Sequence, residues 1–336
     1  MAVMPRRVGT ITLVTVGVAL IAGTLAFQMF SRAPAFEKMT NDFQKNVTPA
    51  TVATLQADVA DLKAAGTELS TTGIPALAGL LHMTPQQFAT VAQQQFPALA
   101  AAVQQIPATA ANFEKLLGVI AAQDPHLKSA VAIPSKSIST TVVPWLLLGS
   151  GVVFMGLGLG RARITSAVAV GLGAVLIIGV FAFSLPSKTS DADALNRAMK
   201  PFFTQQQITA SRAAMASLNT TSGELTGPVL NAIAAAQHVP ASQLIGSFAS
   251  QFPALTKALI ALPDATERVN ELTATFERNL SNYNKVAPFH FLAATWVVAV
   301  AGLLVMAGGA IPLLMVSDET GSEERLQRWF RRAKAA

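Results

Sequence analysis

The chain has 336 residues, of which 51% are hydrophobic and only 12% are charged, and its mean hydropathy is +0.46. Soluble domains carry about 25% charged residues, so this composition excludes an ordinary soluble globular protein. The chain contains no cysteine, which excludes disulfides, thiolate metal sites and cysteine nucleophiles.

The apolar residues gather in four blocks, each long enough to cross a membrane as a helix. A hydrocarbon core of about 30 Å requires about 20 residues at the helical rise. We predict membrane spans at 8–30, 141–160, 164–185 and 289–316. The apolar centres of these blocks contain no ionisable residue, which argues against ion-coupled transport by this chain.

Basic residues in the short flanking segments predict the orientation of the spans. Arg6 and Arg7 precede the first span, Arg161 and Arg163 join the second and third, and five basic residues follow the fourth. Because basic flanks favour the cytoplasmic side, both ends of the chain are predicted to lie inside. The cytoplasmic segments are then 1–7, 161–163 and 317–336, and the long segments 31–140 and 186–288 are extracytoplasmic. The net charge of +6 is explained by this topology and gives no sign of nucleic-acid binding.

The first span also has some features of a cleaved signal peptide. Two arginines precede it, and Ala33-Pro34-Ala35 follows it as an acceptable cleavage site. Its apolar run is longer than the roughly 7–15 residues of a signal sequence, so we expect an uncleaved anchor.

The two long segments repeat each other at a constant spacing of 156 in residue number. Gln95-Phe96-Pro97-Ala98-Leu99 recurs as Gln251-Phe252-Pro253-Ala254-Leu255, and His82 recurs as His238. In the spans, Trp145 pairs with Trp296 at a spacing of 151. We therefore predict an all-α fold: four transmembrane helices and two homologous extracytoplasmic helical domains, related by a parallel internal duplication (1–160 and 161–316). A pseudo-twofold axis along the membrane normal would place the two domains side by side.

Helix signals divide each long segment into a bundle of four to six short helices. Thr48 before Pro49 is an N-cap followed by an N1 proline, and Thr84 with Gln87 forms a capping-box pattern. Four prolines are each expected to begin a short helix: Pro97, Pro107, Pro253 and Pro263. One apolar stripe is expected on the last helix of the second segment: Val269, Leu272, Phe276 and Tyr283.

No catalytic motif stands out in the sequence, so we expect neither an enzyme nor a bound cofactor or metal. His82 and His238 could bind a ligand or respond to pH, but a histidine that ends a helix is the simpler interpretation, since no acidic or cysteine ligand accompanies it. The repeated junction could form a surface for a partner or for lipid, or could be a helix corner packed into the core. Its candidate residues are Phe96, Leu99, Phe252 and Leu255.

The C-terminal tail combines basic and aromatic residues at helical spacing, which is typical of contact with an anionic inner leaflet. A simple topology anchor and a docking helix for a cytoplasmic protein are the alternatives. The candidate contact residues are Arg325, Arg328, Trp329, Phe330, Arg331 and Arg332.

The run from His82 to Phe88, followed by the junction at 95–99, resembles a pattern in multi-pass membrane proteins of actinobacteria. That group has duplicated helical extracytoplasmic domains and no known activity. The resemblance implies a bacterial plasma membrane and no particular chemistry.

Three functions fit these observations. The first is a non-enzymatic scaffold or accessory subunit of a membrane complex, with a membrane protein or a second copy as partner. The second is a lipid-binding or lipid-transfer accessory protein, and the third is an envelope sensor. An apolar cavity of ligand size would favour lipid handling, whereas solid domains with an exposed apolar patch would favour partner binding.

Overall fold

The computed structural model describes the backbone of residues 3–135, 137–160, 163–240, 243, 246 and 249–335, and the side chains of these ranges except at 3–7, 163 and 314–335. This part of the chain is helical and has no β-strand, as the composition and periodicity predict. Its helices are α1 (Val3–Ala26), α2 (Met29–Asn46), α3 (Pro49–Glu68), α4 (Ile74–Leu80), α5 (Pro85–Gln95), α6 (Pro97–Val131), α7 (Val143–Leu159), α8 (Arg163–Ala182), α9 (Leu185–Met199), α10 (Gln205–Glu224), α11 (Leu230–Gln237), α12 (Pro253–Val286) and α13 (Phe291–Ala335).

Four helices are long and apolar enough to span a membrane, as predicted. Their apolar windows are Val8–Ala26, Thr140–Leu159, Ile164–Ala182 and Phe291–Leu313. The first and third windows end earlier than the predicted 30 and 185. Gln28 and Ser184 have left-handed backbones, with φ of 51° and 52°, and this conformation interrupts a right-handed helix.

The helices divide between two compact units. The first unit comprises Met1–Asn41, His126–Asn196 and Asn282–Ala336, and it contains all four apolar windows. The second unit comprises Asp42–Pro125 and Arg197–Ser281.

In the first unit, α1 packs against α7 and α13, and α8 packs against α13. Two close helix approaches depend on glycine. A Cβ atom on Gly17 would lie 2.6 Å from the carbonyl oxygen of Gly151, and one on Gly173 would lie 2.7 Å from that of Gly302. Small residues of this kind bring helix backbones together within a membrane. One buried apolar cluster of the unit consists of Leu13, Val16, Leu20, Leu147, Phe154, Ala169, Ala301 and Val305.

One buried core cluster of the second unit is built from both long segments. The two predicted helical domains, 31–140 and 186–288, therefore share a core cluster, and their bounds and side-by-side arrangement stay predictions. The buried core residues from the first segment are Ala65, Leu69, Leu77, Ala78, Phe88, Ala92, Phe96 and Leu99, and those from the second are Leu225, Val229, Ile233, Phe252 and Leu255.

The local helix signals are largely confirmed. The Thr48 hydroxyl accepts a hydrogen bond from the Thr51 backbone N–H, and Thr84 forms a full capping box with Gln87. The predicted stripe on α12 is buried, with 4–5% exposure at each position.

The four prolines differ in their effect. Pro97 and Pro253 begin α6 and α12, as predicted, but Pro107 and Pro263 lie inside these helices. The prediction that they begin new helices is therefore wrong. An internal proline removes one backbone hydrogen bond, while buried Ile106 and Ala110 hold α6 in the core on both sides of Pro107.

Several unusual local features recur at the spacing of the sequence repeat. Single π-helical turns occupy Leu69–Gly73 and Leu225–Val229. Left-handed residues occur at His82 and His238 as well as at Gln28 and Ser184. The same backbone irregularities therefore occur at corresponding places in the two halves of the chain.

Candidate functional site

The repeated junction lies inside the second unit. The exposed fractions of its four candidate side chains are 5% for Phe96, 1% for Leu99, 1% for Phe252 and 5% for Leu255. Since these side chains belong to the shared core, they form no surface for a partner or for lipid in this structure. Their placement matches the alternative interpretation, a helix corner packed into the core.

Each junction is capped by a glutamate from the other long segment. The Glu224 carboxylate accepts hydrogen bonds from the backbone N–H groups of Ala98 at 3.2 Å and Leu99 at 2.8 Å. In the opposite direction, Glu68 accepts from the Leu255 N–H at 2.7 Å. The first turn of a helix has free N–H donors and a partial positive charge, so a carboxylate stabilises it.

The two capping glutamates each end a helix directly before a π turn. Leu69 and Leu225, the first residues of these turns, are 1% and 4% exposed. A π turn inserts one extra residue in a helix and is frequent at functional sites. Here it directly follows the carboxylate that caps the opposite segment.

Polar pairs add further ties between the two segments of the second unit. Arg268 donates two hydrogen bonds to the Asp58 carboxylate, each 2.9 Å long. The Lys257 ammonium lies 2.8 Å from Asp61, and the Gln237 amide donates to the Leu80 carbonyl oxygen at 2.8 Å. No local sequence pattern predicts these pairs, because their members lie far apart along the chain.

The first unit contains a second pair of acidic caps. The Glu37 carboxylate accepts from the Thr141 N–H, just before α7. Asp193, which holds the place of Glu37 in the second half of the chain, accepts from the N–H groups of Phe291 and Leu292 at the start of α13. The helices that carry the second and fourth spans are therefore each capped by a carboxylate from the segment that precedes them.

Two of the histidines, His82 and His238, lie where helices end. His82 and His238 both have left-handed backbones at helix ends, and the His238 N–H caps α11. His126 Nδ1 lies 2.8 Å from Asp191 Oδ1, at partly exposed side chains. Among the described residues, no three His, Asp or Glu side chains are grouped as a metal site would require.

The tail candidates belong to the C-terminal part of α13, whose backbone is helical through Ala335. The side chains of Arg325, Arg328, Trp329, Phe330, Arg331 and Arg332 lie outside the described side chains. Their contact with an inner leaflet stays a prediction.

Two cavities of the second unit bear on ligand binding. One, between Phe113, Ile208 and Phe276, has a volume of about 10 Å³, which is the space of a single water molecule. The other is a groove of about 670 Å³ along α3, lined by Lys63, Glu114 and several threonines. The first is too small for an acyl chain, and the second has charged and hydroxyl groups in its walls.

The described surface of the second unit has almost no large apolar side chain. Of the large apolar side chains that are exposed in the described residues, Ile260 alone belongs to this unit, and the others lie in the first unit. A contiguous apolar docking patch is therefore not found on the part of this unit that the structure describes.

The chain matches no protein-family model, and it has no significant match among curated proteins or among solved structures. The arrangement of its own residues is therefore the basis on which a function can be proposed.

Proposed function

We propose that this chain is a non-enzymatic integral membrane protein of the bacterial cell envelope that acts as a scaffold or accessory subunit of a larger membrane complex. The observation that carries the proposal is the cross-capped core of the second unit. Glu68 and Glu224 each cap the helix of the opposite segment, and both segments contribute side chains to the same core cluster. Such an arrangement supports a solid platform that presents polar groups to a partner.

The proposed topology places the second unit outside the plasma membrane. The basic residues before the first span, between the second and third spans and after the fourth span support cytoplasmic ends. The resemblance to actinobacterial membrane proteins supports the same location.

We also propose that an internal duplication of 1–160 and 161–316 produced the fold. The recurrence of π turns, left-handed residues and acidic caps supports it. The close approach of Gly17 to Gly151 corresponds to that of Gly173 to Gly302, and this also supports a duplication. Biased composition alone gives no reason for the same backbone irregularity at the same spacing.

The lipid-transfer alternative would require an apolar cavity that can hold an acyl chain. The cavity between Phe113, Ile208 and Phe276, at about 10 Å³, is far below the roughly 300 Å³ of a small ligand pocket. The groove of about 670 Å³ along α3 is large enough, but Lys63, Glu68 and Glu114 place charged groups in its walls, which disfavours an acyl chain. The cavities described in the second unit therefore favour the scaffold over lipid transfer.

The test is affinity purification of the full chain from native membranes in mild detergent, with co-purifying proteins and lipids identified by mass spectrometry. We expect one membrane protein at a fixed stoichiometry. The double variant Glu68→Gln/Glu224→Gln, which weakens both caps, is expected to retain less of it.

The matched control is Glu114→Gln/Glu277→Gln, which removes the same charge from exposed positions of the same unit and is expected to keep the partner. Recovery of a selected lipid with no protein partner would overturn the scaffold proposal in favour of lipid binding.

A further inference from the structure

Arg32 is a cation of the first unit that has no acidic partner among the described residues. Its Nε atom is buried, and no described atom forms a hydrogen bond with it. Arg32 forms no ion pair within the described part of the chain, and its guanidinium carbon lies 5.9 Å from the centre of the Phe289 ring. Only the Nε atom of this side chain is buried without a partner. The two terminal nitrogens are accessible, so a ligand can reach them.

The corresponding cation of the second half is satisfied by the protein. Lys188, which holds the place of Arg32 in the repeat, donates to the carbonyl oxygens of Ala132 at 2.9 Å and Pro134 at 3.1 Å. Arg32 has an aromatic ring in place of these oxygens. A ring face attracts a cation but accepts no strong hydrogen bond. The guanidinium N–H groups of Arg32 are therefore available to a ligand.

The nearest acidic residue along α2 is already engaged. Glu37 accepts from the Ser139 hydroxyl at 2.5 Å and from the Thr141 backbone N–H at 3.3 Å. Its carboxylate therefore caps the start of α7 and does not serve as the counterion of Arg32.

Arg32 also lies close to the end of a membrane span. It follows the apolar window Val8–Ala26 by six residues, in the first turn of α2. Two residues earlier, the Phe30 ring packs 4.9 Å from the ring of Trp145, and Trp145 is 64% exposed at the start of α7. Exposed tryptophan at the end of a span is typical of the headgroup level.

We infer that Arg32 binds the phosphate group of a phospholipid at the membrane surface. A guanidinium pairs with phosphate through two parallel hydrogen bonds, and a bilayer supplies phosphate at the level that Trp145 marks. The inference rests on the membrane placement of the four spans, and it is independent of the scaffold role of the second unit.

The test is native mass spectrometry of the delipidated full chain in detergent, with dioleoyl phosphatidylglycerol added. Arg32→Gln is expected to bind the first lipid about tenfold more weakly, because the charged hydrogen bonds are lost. The control is Lys38→Gln, which removes the same charge from an exposed position of the same helix and is expected to bind as the wild type does.

A comparison within the wild type makes the test independent of how the variant folds. Dioleoylglycerol has the same acyl chains and no phosphate, so it is expected to bind far more weakly than the phospholipid. Equal binding of the two lipids, or equal loss of lipid in both variants, would overturn the assignment. Retention of inorganic phosphate in place of lipid, seen by phosphorus NMR, would overturn the assignment to a lipid headgroup. Failure of the scaffold proposal would be seen separately, as the absence of a co-purifying protein.

Discussion

Two glutamates occupy corresponding positions in the two halves of the chain, and each caps a helix that belongs to the other half. Glu68 and Glu224 end α3 and α10, and each accepts hydrogen bonds at the start of a helix from the other segment. Both are partly buried, so solvent screens their interaction with the helix N-terminus less than it would at the surface.

Replacement of either capping glutamate tests its contribution. We expect Glu68→Gln or Glu224→Gln to lower the free energy of unfolding by about 1 kcal/mol, because the amide lacks the charge that stabilises a helix N-terminus. Thermal unfolding of the detergent-purified protein measures this loss of stability. Glu114→Gln, which breaks an ion pair between side chains that are 58% and 61% exposed, should change stability by less than about 0.5 kcal/mol. An equal loss in both variants would contradict the capping role.

Tyr283 makes stability depend on alkaline pH. Burial raises the pKa of the Tyr283 phenol above its ordinary value, and its hydroxyl donates to the Asn196 carbonyl oxygen at 3.1 Å. The unfolded chain ionises this phenol near pH 10, whereas the folded chain does so only at higher pH. The stabilising effect is therefore complete below about pH 10 and is lost as the pH rises through the folded value.

Because Tyr283 is the one tyrosine of the chain, its ionisation can be followed directly by tyrosinate absorbance. We expect the folded protein to titrate above the ordinary pKa, and we expect Tyr283→Phe to lose less stability between neutral and alkaline pH. A folded protein that titrates at the ordinary value would refute this.

The distance along the chain between two partners determines whether their contact can be predicted from the sequence. The cap at Thr84 was predictable because its partner Gln87 is three residues away. The role of Glu224 was not, because its partner Leu99 is 125 residues away. The repeated junction was correctly found as a feature, but its side chains point into a core whose other half comes from the second segment.

At the scale of helices, glycines allow the spans to pack closely. Two glycines of the same helix differ in whether they lie at a helix contact. On α8, a Cβ atom at Gly173 would lie 2.7 Å from the Gly302 carbonyl oxygen, whereas nothing lies within 4 Å of one at Gly171. The sequence shows both glycines equally, and only the packing distinguishes them.

Alanine substitutions at these two glycines test the packing of α8 on α13. Gly173→Ala should cost about 1–3 kcal/mol, because the helices must separate to admit the methyl group. Gly171→Ala should be neutral or slightly stabilising, since alanine favours the helix. Thermal stability in detergent is the measurement, and a destabilised Gly171→Ala with an unchanged Gly173→Ala would contradict the packing.

Helix existence was predictable from the sequence, but helix length was less so. The four spans follow from runs of apolar residues. The continuity of α6 through Pro107 and of α12 through Pro263 depends on tertiary burial, which a local proline rule does not include.

At the scale of the whole chain, the natural absence of cysteine makes orientation easy to test. Thr71→Cys, at an exposed position of the second unit, should react with a membrane-impermeant maleimide added to intact cells. Ser322→Cys in the tail should react only after the membrane is opened. The reverse pattern would contradict the orientation predicted from the basic flanks.

The reciprocal caps have a consequence for how the protein matures during synthesis. The start of α6 depends on Glu224, which is made 126 residues after Ala98, and two apolar spans are translated in between. The first segment therefore emerges with half of a core and an unsatisfied helix start, and it reaches its final form only when the second segment arrives. A chain that ended at Gly160 would keep its first two spans but would expose that unfinished surface to chaperones and proteases.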